Sequence, residues 1–304
     1  MANEAVWSSL ASDIQRTIIS SLVLDALSDP TFIGNHPAII DMDDLTGSFS
    51  DTAKMREDDV TTPRSMTSVS EGGSMTTNTA IGTELYSASI GQRYMQWNVS
   101  DLLNSLANQQ FSPERFAAGL VRSLQYTWTG LLAAEGATFT AYRDNGLGDP
   151  DLEDFFDAIG DSEDLYVDPS LPKIALLHPN VGRALIKDAL FAQQSNLSKD
   201  DPDVQALAKS LGGSYLGRIR NTDIIASFQV STASSQYQNS IFARGAMLKV
   251  MARNLPQTAD QYAFGPLMIE RLRSDTKPET TIRGTAFMGV NKAQEGGLVW
   301  KTAV

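Results

Sequence analysis

The chain has no cysteine. That excludes a disulfide framework, a thiolate metal centre and a cysteine nucleophile. Histidine is almost as scarce, with only His36 and His178 available to supply an imidazole base or metal ligand. Basic residues are in deficit: 24 Lys and Arg face 36 Asp and Glu, a net charge of −12. Such a balance argues against a reader of nucleic acid, which needs a cationic groove. No apolar run approaches the roughly 18 residues of a membrane-spanning helix. The opening MANEAVWSSLASDIQRT has no basic start leading into an apolar run, so no secretory signal is expected and the chain reads as soluble and made inside the cell. Without that signal, Asn98-Val99-Ser100 and Asn196-Leu197-Ser198 carry no weight as glycosylation acceptors.

What is present suffices for a large core. A chain of 304 residues can bury about three quarters of its unfolded surface, as about two domains or one large one. Residues 4–28 read as an amphipathic helix: Val6, Leu10, Ile14, Ile18 and Leu22 recur every four residues, Trp7, Ile19 and Val23 widen the stripe, and Pro30 ends it. The next fifty residues offer that stripe no obvious core, so its expected partner is another subunit. Residues 41–60 are acidic and irregular. From Thr61 to Gln92, Ser, Thr and Gly make up 17 of 32 residues. This is the composition of a flexible linker. The alternation of Leu85, Ser87, Ser89 and Gly91 with Tyr86, Ala88, Ile90 and Gln92, and the Glu-Gly-Gly at 71–73, favour instead a projecting β-hairpin.

After a short helix at 101–109 comes the clearest element. Ser112 suits an N-cap and Pro113 a first turn. Ala117, Leu120, Val121, Leu124, Trp128, Leu131 and Leu132 share a face, and Gly136 stands where a helix stops. The predicted rod over 112–135 is about 35 Å long, enough to cross a domain. Further on, KIALL (173–177) reads as a strand leading into a helix from Pro179, with Val181, Leu185 and Leu190 inward. A second helix is expected from Asp201-Pro202 to Gly212-Gly213, then strands in LGRIRNTDIIASFQV and NSIFARGAMLKVMAR. The last stretch alternates on both sides of a polar turn at Thr276–Glu279. Leu267, Ile269, Arg271 and Arg273 oppose Met268, Glu270 and Leu272; then Ile282, Gly284, Ala286, Met288 and Val290 alternate with Arg283, Thr285 and Phe287. The predicted class is α+β.

Candidate chemistry is thin. His178 precedes Pro179 at a strand-to-helix junction and is expected to cap the helix; His36, in the loop Asn35-His36-Pro37, is expected to be structural. Residues 144–168 carry ten acids and no Lys or Arg. Asp149, Asp151, Glu153 and Asp154 are hard oxygen ligands, but Gly146 and Leu147 occupy ligand positions of the calcium-loop template. The segment is read as a solvated acidic loop. A soluble acidic hydrolase would have to use it, yet no aromatic groove accompanies the acids. Gly146-Leu147-Gly148 has no third glycine to make a dinucleotide loop. No catalytic, cofactor or metal residue is assigned, and the chain is not expected to be an enzyme.

The order of elements resembles the major capsid protein of tailed bacteriophages, with the Hong Kong 97-type fold. The resemblance rests on ALLHPNVGRALIKDA (175–189), GRIRNTDIIASFQV (217–230), IFARGAMLKV (241–250) and ERLRSDTKPETTIRGTAFMGV (270–290), taken in succession. It implies an N-terminal arm (1–45), an extended β-hairpin loop (46–97), a peripheral domain with the spine helix (98–168), an inserted axial domain (169–259) and returning peripheral strands (260–304). It implies pentamers and hexamers in an icosahedral shell in the virion, assembled in the host cytoplasm, enclosing double-stranded DNA without reading its sequence and with no membrane. Trp7, Arg64, Arg271 and Arg273 are the candidate inter-subunit contacts. Since the first helix is read as starting near Met1, no long cleavable leader is expected; a separate scaffolding protein, a portal and a cement protein are the partners implied. Some members crosslink a Lys to an Asn; Lys54 and Asn291 are conceivable here, but no matching motif supports it. The same fold serves encapsulin-type nanocompartments, the nearest alternative.

Overall fold

The computed structural model describes residues 22–23, 33–42, 52–58, 83–100, 113–146, 148, 150–165, 171–187, 191, 200–202, 204–205, 208, 214–251, 261–264, 267–273, 279–292 and 296–304. In chain order these form a 3-10 turn (Ile33–Asn35), β1 (Ile39–Asp41), β2 (Thr52–Asp58), β3 (Thr83–Ser89), β4 (Gly91–Ser100), α1 (Pro113–Gly136), β5 (Ala141–Asp144) and α2 (Leu152–Glu163). There follow β6 (Lys173–Leu177), α3 (Pro179–Ile186), β7 (Tyr215–Ile219), β8 (Thr222–Ala226), β9 (Thr232–Ala233), β10 (Gln236–Ala243) and β11 (Met247–Met251). The chain closes with β12 (Gln261–Phe264), β13 (Leu267–Arg273), β14 (Glu279–Lys292) and β15 (Gly297–Ala303). No helix among the described residues is long and apolar enough to cross a membrane.

The strands make a six-stranded sheet, β1-β11-β14-β13-β12 with β4 also on β14, and a seven-stranded sheet, β5-β15-β10-β6-β8-β7 with β9 on β10. β2 and β3 pair alone as an antiparallel ribbon. The seven-stranded sheet is apolar on both faces, which explains the unbroken apolar runs of its central strands. Ile174 and Leu176 of β6, Phe242 of β10 and Val299 of β15 join one core with α1; Ala175, Leu177, Ile241, Leu298 and Trp300 point the other way, into a core closed by α2 and α3. Trp300 meets Phe155 of α2 there, ring centroids 5.5 Å apart.

α1 is the element common to both sheets. Phe116, Ala117, Leu120, Leu124, Trp128 and Leu132 are buried along it and reach Ile282, Ala286, Met288 and Val290 of β14 as well as the first face of the larger sheet. At 24 residues it is about 36 Å long. Its close seat on β14 requires Gly284, where a Cβ would come within 2.6 Å of Leu120 Cδ2.

Several expectations change. The acid-rich segment is not a loop: α2 runs through it, begun by Asp151, whose carboxylate accepts from Asp154 N–H while Asp154 accepts from Asp151 N–H. This is a reciprocal capping box, and Leu152, Phe155, Ala158 and Ile159 supply a buried stripe. The ribbon's first strand is β2, inside the stretch read as irregular, while β4 leaves the ribbon to pair with β14 from Gly91↔Met288 to Ser100↔Glu279. In β2 only Ala53 and Met55 alternate with Thr52, Lys54 and Arg56, too short an apolar pattern to announce a strand. β5 and β15 are further strands that the sequence reading does not contain. In β13, Met268, Ile269 and Glu270 are all buried, so both faces are covered there. The first helix's stripe finds at least part of its partner within the chain, since Val23 is buried in the α1 core while Leu22 is exposed. The predicted helix at 101–109, Ser112 and the turn at 276–278 lie outside the described residues.

Candidate functional site

A dense polar constellation is buried where the segment before β1 meets the larger sheet. β7 and β8 form a hairpin through Arg220 and Asn221, both left-handed (φ 49° and 60°). This is the two-residue turn whose twist suits antiparallel strands. The hairpin sets Tyr215, Arg218 and Asp223 side by side. Tyr215 donates its hydroxyl to Asp223 Oδ1 at 2.6 Å, and Arg218 spans both carboxylate oxygens at 2.9 Å. Arg218 Nη1 also reaches Asp201 at 2.9 Å. His36 completes the set: its Nε2 lies 2.8 Å from Asp223 Oδ2, while its Nδ1 accepts from Ala38 N–H at 3.1 Å. An Nδ1 that accepts fixes the proton on Nε2.

Burial alone would raise the Asp223 carboxyl, but hydrogen bonds from His36, Arg218 and Tyr215 outweigh it and hold it at about 2. Burial and the bond to Asp223 push the Tyr215 phenol well above its usual range. Every carboxylate lone pair that could act as a base is occupied, and both imidazole nitrogens are engaged. The arrangement is a clasp. It holds the segment before β1 against the larger sheet, while β1 itself pairs with β11 of the smaller one and Lys249 of β11 reaches Asn35 at 2.9 Å and Asp41 at 3.2 Å.

His178 is the N-cap of α3, its Nδ1 accepting from Asn180 N–H at 3.3 Å, with Pro179 in the first turn. Its ring lies flat on Tyr237, centroids 3.8 Å apart, and meets Phe228 edge-on at 5.8 Å. Burial, then the charge of Arg183, lower its pKa. Buried Asn239 ties this corner together: it accepts from His178 N–H and donates to Trp300 O and Thr302 Oγ1.

The acids of α2 are also engaged. Arg143 of β5 bridges Asp157 at 2.7 Å and Asp161 at 2.8 Å, and fully buried Lys173 meets Glu163 at 2.8 Å. Among the described residues no group of three or more His, Asp or Glu side chains is placed to hold a metal ion.

Of the expected contact residues, Trp7 and Arg64 lie outside the described residues. Arg271 and Arg273 sit in β13 opposite Ile282 and Thr280 of β14. Lys54 stands opposite Ser87 in the ribbon, and Asn291 donates its side-chain amide to the Ser87 carbonyl. The structure adds surface residues that periodicity does not single out. Tyr94, Tyr126, Tyr142 and Phe228 are each more than 60% exposed, with Arg283 over the Tyr94 ring and Lys301 over the Tyr142 ring.

No protein-family model and no curated protein matches the sequence. Solved structures match the fold over most of its length. The capsid of Ralstonia phage GP4 aligns at 11% identity over 88% of this chain and 87% of that one, with a TM-score of 0.57. The acid-stable capsid of Helicobacter pylori bacteriophage KHP30 aligns at 13% identity over 89% of each chain, with a TM-score of 0.56. The holo-SrpI encapsulin complex of Synechococcus elongatus PCC 7942 aligns at 10% identity over 83% and 81%, with a TM-score of 0.50. The chain has the Hong Kong 97-type fold of tailed-phage capsid proteins, as the order of its elements led one to expect.

Proposed function

We propose that the chain is a non-enzymatic major capsid protein, the repeating subunit of an icosahedral shell that encloses phage double-stranded DNA in the virion. The observation that carries this reading is the reach of the fold match, close to nine tenths of this chain and of the phage capsid chains alike. An enzyme built on a borrowed domain would leave a large unmatched remainder. The internal chemistry agrees: the His36–Asp223 clasp and the pairs of Arg143 with Asp157 and Asp161 hold the subunit together. A net charge of −12 suits a wall that confines DNA without gripping it.

In this reading residues 1–45 are an arm and 46–97 an extended loop, carrying Trp7 and Arg64 towards neighbours. The smaller sheet with α1 is the peripheral body, and the seven-stranded sheet with α2 and α3 the axial body. The axial body then takes in β5, α2 and β15 from outside the 169–259 segment, and the peripheral body takes in β1, β4 and β11. Arg271 and Arg273 on β13 are proposed contacts between peripheral bodies. Pentamers and hexamers assemble in the host cytoplasm, with a scaffolding protein, a portal and a cement protein as proposed partners.

The match to the SrpI encapsulin favours one second reading, a nanocompartment shell. Expression of the chain followed by size-exclusion chromatography and negative-stain microscopy tests both. Closed particles are expected; a protein that stays monomeric under all assembly conditions overturns the shell. Particles from the native source that hold double-stranded DNA support the capsid, whereas a co-purifying cargo enzyme and no DNA would replace it with the nanocompartment.

A further inference from the structure

We infer that the hollow between α1 and the β8–β9 turn is a contact site for a second copy of this chain, and that the acidic outer face of that copy's α2 docks there. The inference rests on the shell reading. Arg122 and Tyr126 of α1 form one wall, Ser227 and Phe228 of the turn the other, around a cavity of about 250 Å³. Tyr126 is 66% and Phe228 74% exposed. Aromatic and arginine side chains grouped in this way are typical of interface centres.

Phe228 is held in this exposed position. Ser227 N–H donates to Leu177 O at 2.8 Å, and Gln229 N–H to Ser227 Oγ at 3.2 Å. The ring then rests edge-on against His178, itself stacked on Tyr237. A side chain fixed before binding loses little entropy on binding, which is the property of an anchor. The surroundings are cationic: Arg122 is exposed on α1, and Arg183 is exposed on α3, close enough to act on His178.

The matching surface is α2, where Glu153 and Asp164 are exposed beyond the pairs that Arg143 makes with Asp157 and Asp161. α1 packs on one face of the seven-stranded sheet and α2 on the other. One molecule therefore cannot bring its own α2 face to its own hollow. Two different patches joined between copies make a head-to-tail contact, the kind that closes into rings.

Charge exchange tests this in the full-length chain. Arg122→Glu with Arg183→Glu, and separately Glu153→Lys with Asp164→Lys, are each expected to lower the assembled fraction by roughly tenfold in sedimentation velocity. Far-UV circular dichroism should stay unchanged. All four changes in one chain restore opposite charge and should recover most of the assembly. Phe228→Ala, which removes the anchor without altering charge, should weaken assembly in the same assay. Either charge pair assembling like the parent overturns the contact, and so does a fourfold variant that fails to recover. A parent chain that never assembles sinks the shell reading itself, a distinct result.

Discussion

His36 Nε2 lies 2.8 Å from Asp223 Oδ2 across 187 residues of sequence. The contact joins the segment leading into the smaller sheet to a hairpin of the larger one, so its strength bears on how firmly the two sheets are held. Asp223 is lowered from 3.8 to about 2 in the folded chain. A depressed carboxyl binds fewer protons folded than unfolded. Its stabilisation is therefore complete above pH ~4 and is lost as pH falls through ~2, and it amounts to roughly 2 kcal/mol. Chemical denaturation of the wild type should show this loss between about pH 4 and 2. Asp223→Asn should be less stable at pH 7 and lack that part of the slope. Parallel pH profiles for the two proteins would mean that the clasp is not ionised as described.

Trp128 is buried in the α1 core, and its indole N–H finds no acceptor among the described residues. Trp128→Ala removes a large core side chain and should cost about 3–5 kcal/mol. Trp128→Phe keeps one six-membered aromatic ring in the core and deletes a buried donor with no acceptor among the described residues, a group whose burial costs ~1–3 kcal/mol. Its loss should be much smaller than that of Trp128→Ala. Equal losses in urea denaturation would show that the N–H has a partner.

The difference between legible and illegible elements follows from what each one buries. α1 has one apolar face over many turns, so Leu120, Leu124, Trp128 and Leu132 announce it; Phe116, four residues before Leu120, belongs to the same row and was open to the same inference. His178-Pro179 announces the start of α3 because cap and first turn are local chemistry. β15 hides for the opposite reason: Leu298, Val299 and Trp300 are buried on both faces, leaving no alternation to read. In α2 the count of acids masks the pairing of Asp151 with Asp154, and three of the acids, Asp157, Asp161 and Glu163, are paired by Arg143 and Lys173 of the flanking strands β5 and β6. The clasp was beyond sequence because nothing local links His36 to Asp223, 187 residues apart.

Gly289 admits the ribbon onto β14. A Cβ at 289 would strike the carbonyl oxygen of Ser89, and two residues on Asn291 donates to the Ser87 carbonyl. Because the obstruction is backbone, no side-chain rotation relieves it. Gly289→Ala should displace β3 at a cost of about 1–3 kcal/mol. Amide exchange should accelerate at 83–89 while β6 and β10 stay protected. Unchanged exchange in β3 would show that the strand is not seated on Gly289.

His178 adds a second pH dependence of the same sign. Its Nδ1 accepts from Asn180 N–H, a role that protonation abolishes. Burial, then Arg183, keep its pKa below 6.5. The folded value lies under the unfolded one, so the neutral ring is the stabilising form. Its contribution is present above the unfolded value and declines as pH falls through the folded one. Histidine NMR titration should place His178 below a model peptide. His178→Asn supplies a side chain that caps at every pH; it should keep α3 and flatten the part of the stability profile that falls below the unfolded imidazole value. A His178 that titrates at or above the peptide value would remove the cap from the ring nitrogen.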